Sequence, residues 1–215
     1  MSASSVKLVD QLVSTINNNG NGASAIKIQA DMTNTDSPRQ IVAETVAAFG
    51  GSIDILVNNA GNEHSSALTD ITVEGHNSVP DLSVRSVIFM TQAVLPYLRN
   101  PGRIINIGSV MGSLGYPKSS VHSATKAAVE ALSRGWASEL GGFGHTVNVM
   151  APVPTETDMM HWVSSGPESE HSIQTQKMMT PLEHRLAIVV ALIAYPASRW
   201  VTGQTFQSGG GIFMA

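Results

Sequence analysis

The chain has 215 residues, with 12 Lys and Arg against 16 Asp and Glu, 7 His and no Cys. Hydrophobic residues reach 42% and charged residues only 13%, about half the usual ~25%. This excludes a disordered chain, a coiled coil and a surface built on ion pairs, and a net charge of −4 offers no footprint for nucleic acid or an anionic membrane. Without Cys there is no disulfide framework, thiolate metal site or Cys nucleophile. The length predicts one domain over 1–215, at ~150 residues per domain. The longest apolar run, 186–195, is too short for a bilayer span of ~20 residues. The opening MSASSVKLVDQL lacks the basic-then-apolar order of a secretory signal, so a cytoplasmic location is expected.

In chain order, Val6, Val9, Val13 and Ile16 recur at helical spacing until the Asn/Gly cluster 17–22. Residues 25–30 read as a short strand. Ser37-Pro38 opens a helix through Ala48, a cap residue followed by proline at the first helical position. The apolar run 53–57 ends in Asn-Asn-Ala-Gly, the pattern of a buried parallel strand and its exit turn. Then come a helix over 81–98, a strand at 103–107, a helix over 119–140 and a strand at 146–150. A loop-rich stretch over 153–180, a helix over 183–194 and a strand near 204–207 complete the chain. Alternating strands and helices predict an α/β fold with a parallel sheet of about five strands.

Several blocks then fall in the order of a known family. They are Asp31, Asn58-Asn59-Ala60-Gly61, Thr91-Gln92-Ala93 with Leu95-Pro96, and Ile105-Asn106-Ile107-Gly108-Ser109. Ser123-Ala124-Thr125-Lys126-Ala127-Ala128, Val147-Asn148 with Ala151-Pro152, and Trp200-Val201-Thr202-Gly203 follow. Along its whole length the chain resembles the short-chain dehydrogenase/reductases, notably fungal ketoreductases of the naphthol-reductase type. The resemblance implies a Rossmann-like, doubly wound parallel sheet flanked by helices. It also implies a homodimer or homotetramer joined through the two long helices and the C-terminal strand.

The departures from the family pattern fall where its chemistry lies. Members begin with a strand, a Gly-rich turn and a helix whose N-terminus holds the dinucleotide pyrophosphate. Here the first helix corresponds to the family's second, and Gly20-Asn21-Gly22 follows a helix and precedes a strand, the wrong order for a phosphate cradle. Without the central strand, 25–30 is expected to pair directly with 53–57 and close the adenosine groove. The family's tyrosine, four residues before its lysine, is replaced by His122 before Lys126, while Ser109 stands thirteen residues ahead of His122 as the pattern requires. The relay asparagine aligns with Ser83, and the glycine that approaches the nicotinamide is Val153, although Thr157 is kept. Asp31, Asn58, Ala60 and Gly61 are therefore read as vestigial cofactor positions, and no cofactor is expected.

In this reading, a neutral His122 acts as a base beside the Lys126 ammonium, and Ser109 orients a substrate oxygen or stabilises negative charge on it. Glu63 and His64, just past Gly61, lie where ligands bind in open α/β sheets. Ser83, Met111, Val153, Thr157, Met160 and His161 complete a candidate substrate pocket. His64, His122 and His161 lack metal-ligand spacing, so no metal is expected. Met150, Met159, Met160, Met178 and Met179 pack the core or line an adaptable apolar pocket. The leading expectation is a cofactor-independent acid–base enzyme (an isomerase, lyase or cyclase) for a small apolar, polyketide-like metabolite. The alternatives are an NADP-dependent ketoreductase and a non-catalytic oligomeric assembly partner. No nucleic-acid or membrane partner is expected.

Overall fold

The computed structural model describes residues 3–153 and 186–211. Four parallel strands form one sheet in the order β1-β2-β3-β4: β1 (Ile53–Asn58), β2 (Leu98–Ile107), β3 (Thr146–Pro152) and β4 (Thr205–Ser208). The helices are α1 (Ala3–Asn17), α2 (Ser37–Phe49), α3 (Val73–Pro80), α4 (Ser86–Val94), α5 (Ser120–Leu140) and α6 (Leu186–Ala194). Among the described residues, no helix is long and apolar enough to cross a membrane.

Alternation along β2 divides the core. Ile104 joins Val42, Leu56, Met90, Val94 and Val147 beneath α2, α4 and α5. Its neighbour Ile105 points the other way, to Met150 and to Ile193 of α6. Helices therefore cover both faces, which is why β2 and β3 read as nearly unbroken apolar runs.

Two expectations are corrected. Residues 25–30 form no ladder with β1, so among the described residues the sheet has four strands and not five. The segment is tied back to α1 instead. Asn17 Nδ2 donates to the Ala25 carbonyl at 3.2 Å and Asn17 Oδ1 accepts from the Ala25 amide at 2.7 Å, while Lys27 pairs with Asp10. With its backbone met there, the segment leaves the outer edge of β1 open, and Ile55 and Val57 remain 39% and 41% exposed.

The helix expected over 81–98 begins earlier and is not uniform. Thr72 caps α3, its side chain accepting from the Gly75 amide at 3.0 Å. A π-helical turn at Asp81–Arg85 then joins α3 to α4. Pro80 reads as a helix boundary because it lacks an N–H, but the chain passes it by widening one turn.

A buried polar path crosses the sheet under α4 and α5. Asn58 Nδ2 donates to Thr91 Oγ1 at 3.2 Å and to Asn106 Oδ1 at 2.8 Å. Asn106 Nδ2 donates to Ser133 Oγ at 2.8 Å, and Ser133 donates to the Val129 carbonyl at 2.7 Å. Asn106 is 0% exposed, so truncating it strands a donor on Asn58 and an acceptor on Ser133. Asn106→Ala is expected to lower unfolding free energy by roughly 2–4 kcal/mol in urea titration; a change within about 0.5 kcal/mol would show that water replaces the path.

Candidate functional site

The carboxyl ends of β1, β2 and β3 and the first turns of α5 converge on one region. β2 and β3 leave the sheet in close contact: the Gly108 amide donates to the Met150 carbonyl at 2.8 Å, and a methyl group on Gly108 would lie 2.6 Å from Val149 Cγ1. Only glycine fits there, which fixes where the chain turns out to Ser109. Ser109 is 9% exposed, and its Oγ accepts from the Met111 amide at 3.2 Å, capping the short helical turn Val110–Gly112. Its hydroxyl proton remains available for a donor bond.

His122 and Lys126, one turn apart on α5, share a face. Lys126 Nζ donates to the Ile107 carbonyl at 2.8 Å, which leaves two further N–H donors. Burial brings its pKa down to about 8. His122 is 7% exposed and its Nδ1 is buried without a hydrogen-bond partner. Burial is the main cause holding its pKa below the ordinary value; the Lys126 ammonium adds to this, and Glu63 and the Asn62 carbonyl oppose it. Ser83, 1% exposed on the π-helical turn, has a buried Oγ without a partner. A methyl group on Gly61 would lie 3.5 Å from this Oγ and 3.7 Å from Lys126 Nζ, so β1, the π-helical turn and α5 meet at Gly61.

The other expected positions divide. Glu63 joins the group through Ser119, whose Oγ donates to Glu63 Oε1 at 3.3 Å. Met111 is half-buried beside Ser109, Val153 is 4% exposed at the end of β3, and Ala60 is exposed. His64 is turned against α3, where a methyl group on Gly75 would lie 2.6 Å from its Nε2. Asp31 is exposed, and its Oδ1 accepts from the Thr33 amide and hydroxyl at 2.9 and 2.7 Å, bonds that hold its pKa below the usual carboxylate range. Asn58 has its amide engaged in the cross-sheet path, so its role here is structural. Met150 belongs to the core cluster with Ile105. Thr157, Met160 and His161, with Asp158, Met159, Met178 and Met179, lie outside the described residues. Among the described residues, no three His, Asp or Glu side chains converge as a metal site.

Ser119 and the Asn62 carbonyl were not singled out from sequence. Ser119 reads there as an ordinary helix cap, and a backbone carbonyl carries no residue-type signal. A separate apolar cleft of ≈310 Å³ runs along the open edge of β1, between Met32, Ile41, Ile55 and Val57, and reaches Asn59 and Ala60 at the strand's end.

A parallel Rossmann-like sheet with polar groups gathered at its carboxyl edge is the architecture of nucleotide-binding α/β proteins. Residues 3–212 match the family model described as enoyl-(acyl carrier protein) reductase. The chain is 44% identical over 220 residues to "Dehydrogenase OXI1" of Cochliobolus heterostrophus, covering 100% of this chain and 95% of that protein. Among solved structures, it is similar to a blue fluorescent protein from a metagenomic library in complex with NADPH, with TM-score 0.86, 31% identity, and coverage of 100% and 85% of the two chains. A short-chain dehydrogenase from Burkholderia cenocepacia in complex with NADP gives TM-score 0.84 at 31% identity, covering 97% of this chain and 84% of that one. This chain belongs to the short-chain dehydrogenase/reductase family, and it is an enzyme fold of oxidoreductase type.

These findings overturn the expectation of a cofactor-independent isomerase, lyase or cyclase: the relatives are named dehydrogenases and reductases, and related structures hold NADPH or NADP. That expectation rested on the missing pyrophosphate cradle together with His122, Ser83 and Val153 at family positions, and among the described residues no Gly-rich turn joins a strand to a helix. The residues at the other end of such a cofactor fit it. Lys126 has two further donors for ribose hydroxyls, and Ser83 Oγ and His122 Nδ1 lie buried and unpartnered in the same region.

Lys126 also gives the fold a measurable pH dependence. Its folded value of about 8 lies below the ordinary 10.5 of a lysine, so between these values the unfolded chain binds more protons than the folded one. Stability is therefore expected to rise as pH increases from about 8 to 10.5, by on the order of 3 kcal/mol. The difference in unfolding free energy between the native chain and Lys126→Met should track that window. A pH-independent difference would show that burial does not depress the Lys126 amine and that it stays an ammonium across the window.

Proposed function

We propose that the chain is a nicotinamide-dependent oxidoreductase that interconverts a secondary alcohol and a ketone on a small apolar substrate. The observation that carries this reading is the buried His122–Lys126 pair at the strand ends, with Lys126 Nζ fixed on the Ile107 carbonyl. A bound nicotinamide supplies or accepts the hydride. Lys126 would hold ribose hydroxyls with its remaining donors. Ser109 Oγ donates to the substrate oxygen. Burial and the Lys126 ammonium hold His122 neutral, so the ring is ready to take the hydroxyl proton, and it returns that proton when the ketone is reduced. The apolar cleft along β1 and the low charge content support an uncharged substrate.

Isothermal titration with NADPH and NADH is expected to show saturable micromolar binding to one of them, and His122→Ala to lower kcat by roughly 10²–10⁴ with the fold intact. Absence of binding to both would defeat this reading.

The reading extends to assembly. Residues 1–215 are proposed as one cytoplasmic domain that forms a homodimer or homotetramer. Leu192, Tyr195 and Trp200 are 64%, 65% and 95% exposed next to one another in the chain, an apolar surface suited to a second copy. Light scattering is expected to give a mass of two or four chains of 22.7 kDa, and a monomer would refute the assembly.

A further inference from the structure

The loop leaving β1 carries a charge that the mechanism above does not use. Glu63 is half-buried and its Oε1 accepts from Ser119 Oγ at 3.3 Å. Ser119 is 3% exposed and occupies the position before α5 where a Ser side chain ordinarily accepts from the helix's own amides. It makes no such cap bond, and its hydroxyl instead donates to the carboxylate. The first-turn amides of α5 thus go without a side-chain cap, and their dipole end favours an anion. His122 follows Ser119 by three residues, on the same helix face, 7% exposed and with Nδ1 unpartnered. Both the Glu63 carboxylate and the adjacent Asn62 carbonyl favour its protonated ring.

We infer that Glu63 is the counter-charge for His122: anchored by Ser119 at the start of α5, its carboxylate stabilises the imidazolium formed when the ring takes a proton from the substrate hydroxyl. The inference rests on the oxidoreductase reading for the step, though the pairing itself does not require turnover. In that step the substrate O–H breaks and its proton moves to the ring nitrogen. The C–H bond on the same carbon breaks and its electron pair leaves as hydride to an oxidised nicotinamide. The alcohol is oxidised to a ketone and the acceptor is reduced. The new positive charge then lies between an attractive carboxylate at Glu63 and a repulsive ammonium at Lys126. A Tyr in this position would become an anion on losing its proton and would gain from Lys126 alone. A His becomes a cation on gaining one and needs a counter-charge.

Other ionisable groups near the ring are few among the described residues. Lys118 precedes α5, and His64 lies on the same loop as Glu63. α3 brings Glu74 and His76, and the π-helical turn brings Asp81 and Arg85, which pair with each other at 3.1 Å. Neither Val110–Gly112 nor β3 carries an ionisable side chain.

The test follows the histidine rings of the full chain by long-range ¹H–¹⁵N NMR through a pH titration, with His122→Gln assigning the signal. In Glu63→Gln the His122 midpoint is expected to fall by about one pH unit and kcat for alcohol oxidation by about tenfold, with the acidic limb of the pH profile moving the same way. Glu63→Asp should recover part of the shift. Ser119→Ala, which keeps the charge but frees it, should move the midpoint by a smaller amount and stands in if Glu63→Gln does not fold. A His122 midpoint unchanged in both Glu63→Gln and Ser119→Ala overturns the inference. A shifted midpoint in a chain that binds no nicotinamide upholds the pair and defeats the oxidoreductase reading, whereas nicotinamide binding with an unmoved midpoint does the reverse.

Discussion

The amide of Asn58 bonded to the amide of Asn106 is the contact on which the positions of the functional groups depend. It joins β1 to β2 at their carboxyl ends, and through Ser133 it ties both strands to α5. Gly61 lies three residues beyond one of these asparagines and Ser109 three beyond the other, while Lys126 lies two helical turns before Ser133. A buried amide with fixed donors and acceptors tolerates no slip of register, since sliding by one residue would break every bond in the path. The network thus converts the sheet's regularity into a fixed spacing between loop ends that have no regularity of their own.

Within that frame the electrostatics reverse the usual advantage of a phenol. Burial penalises charge on both His122 and Lys126, and at His122 the Lys126 ammonium adds to the larger effect of burial. The resting pair is therefore poorly disposed to carry two positive charges, and a carboxylate beside it is the simplest remedy. The Ile107 carbonyl partly compensates Lys126 but, being neutral, cannot balance a full charge.

Much of this was legible in the residues. The alternation of strands and helices, the Ser109, His122 and Lys126 spacing, and the apolar character of β2 and β3 follow from local pattern, and all appear in the structure near their expected bounds. What could not be read is non-local. Residues 25–30 look like a strand because Ile26 and Ile28 alternate with polar residues, but strand formation needs a partner, and Asn17 and Asp10 reach the segment first. Pro80 signals a break that a π-helical turn absorbs. Ser119 reads only as the start of a helix, and only the fold shows that its hydroxyl donates to Glu63. Cofactor use was misjudged because an absent motif was given more weight than the residues still present at the opposite end of the site.

The strand order has a consequence for how this chain reaches its native state. Each of the four described strands lies beside the next one in sequence, so no described strand waits for a later segment to be inserted between it and its neighbour. The sheet can extend in one direction as chain becomes available, keeping loop-closure entropy modest at each addition. The growing edge changes at every step, whereas the outer edge of β1 is the same in the first intermediate as in the finished sheet. During synthesis that edge is exposed the longest, which makes β1 the place where encounters between nascent chains would begin.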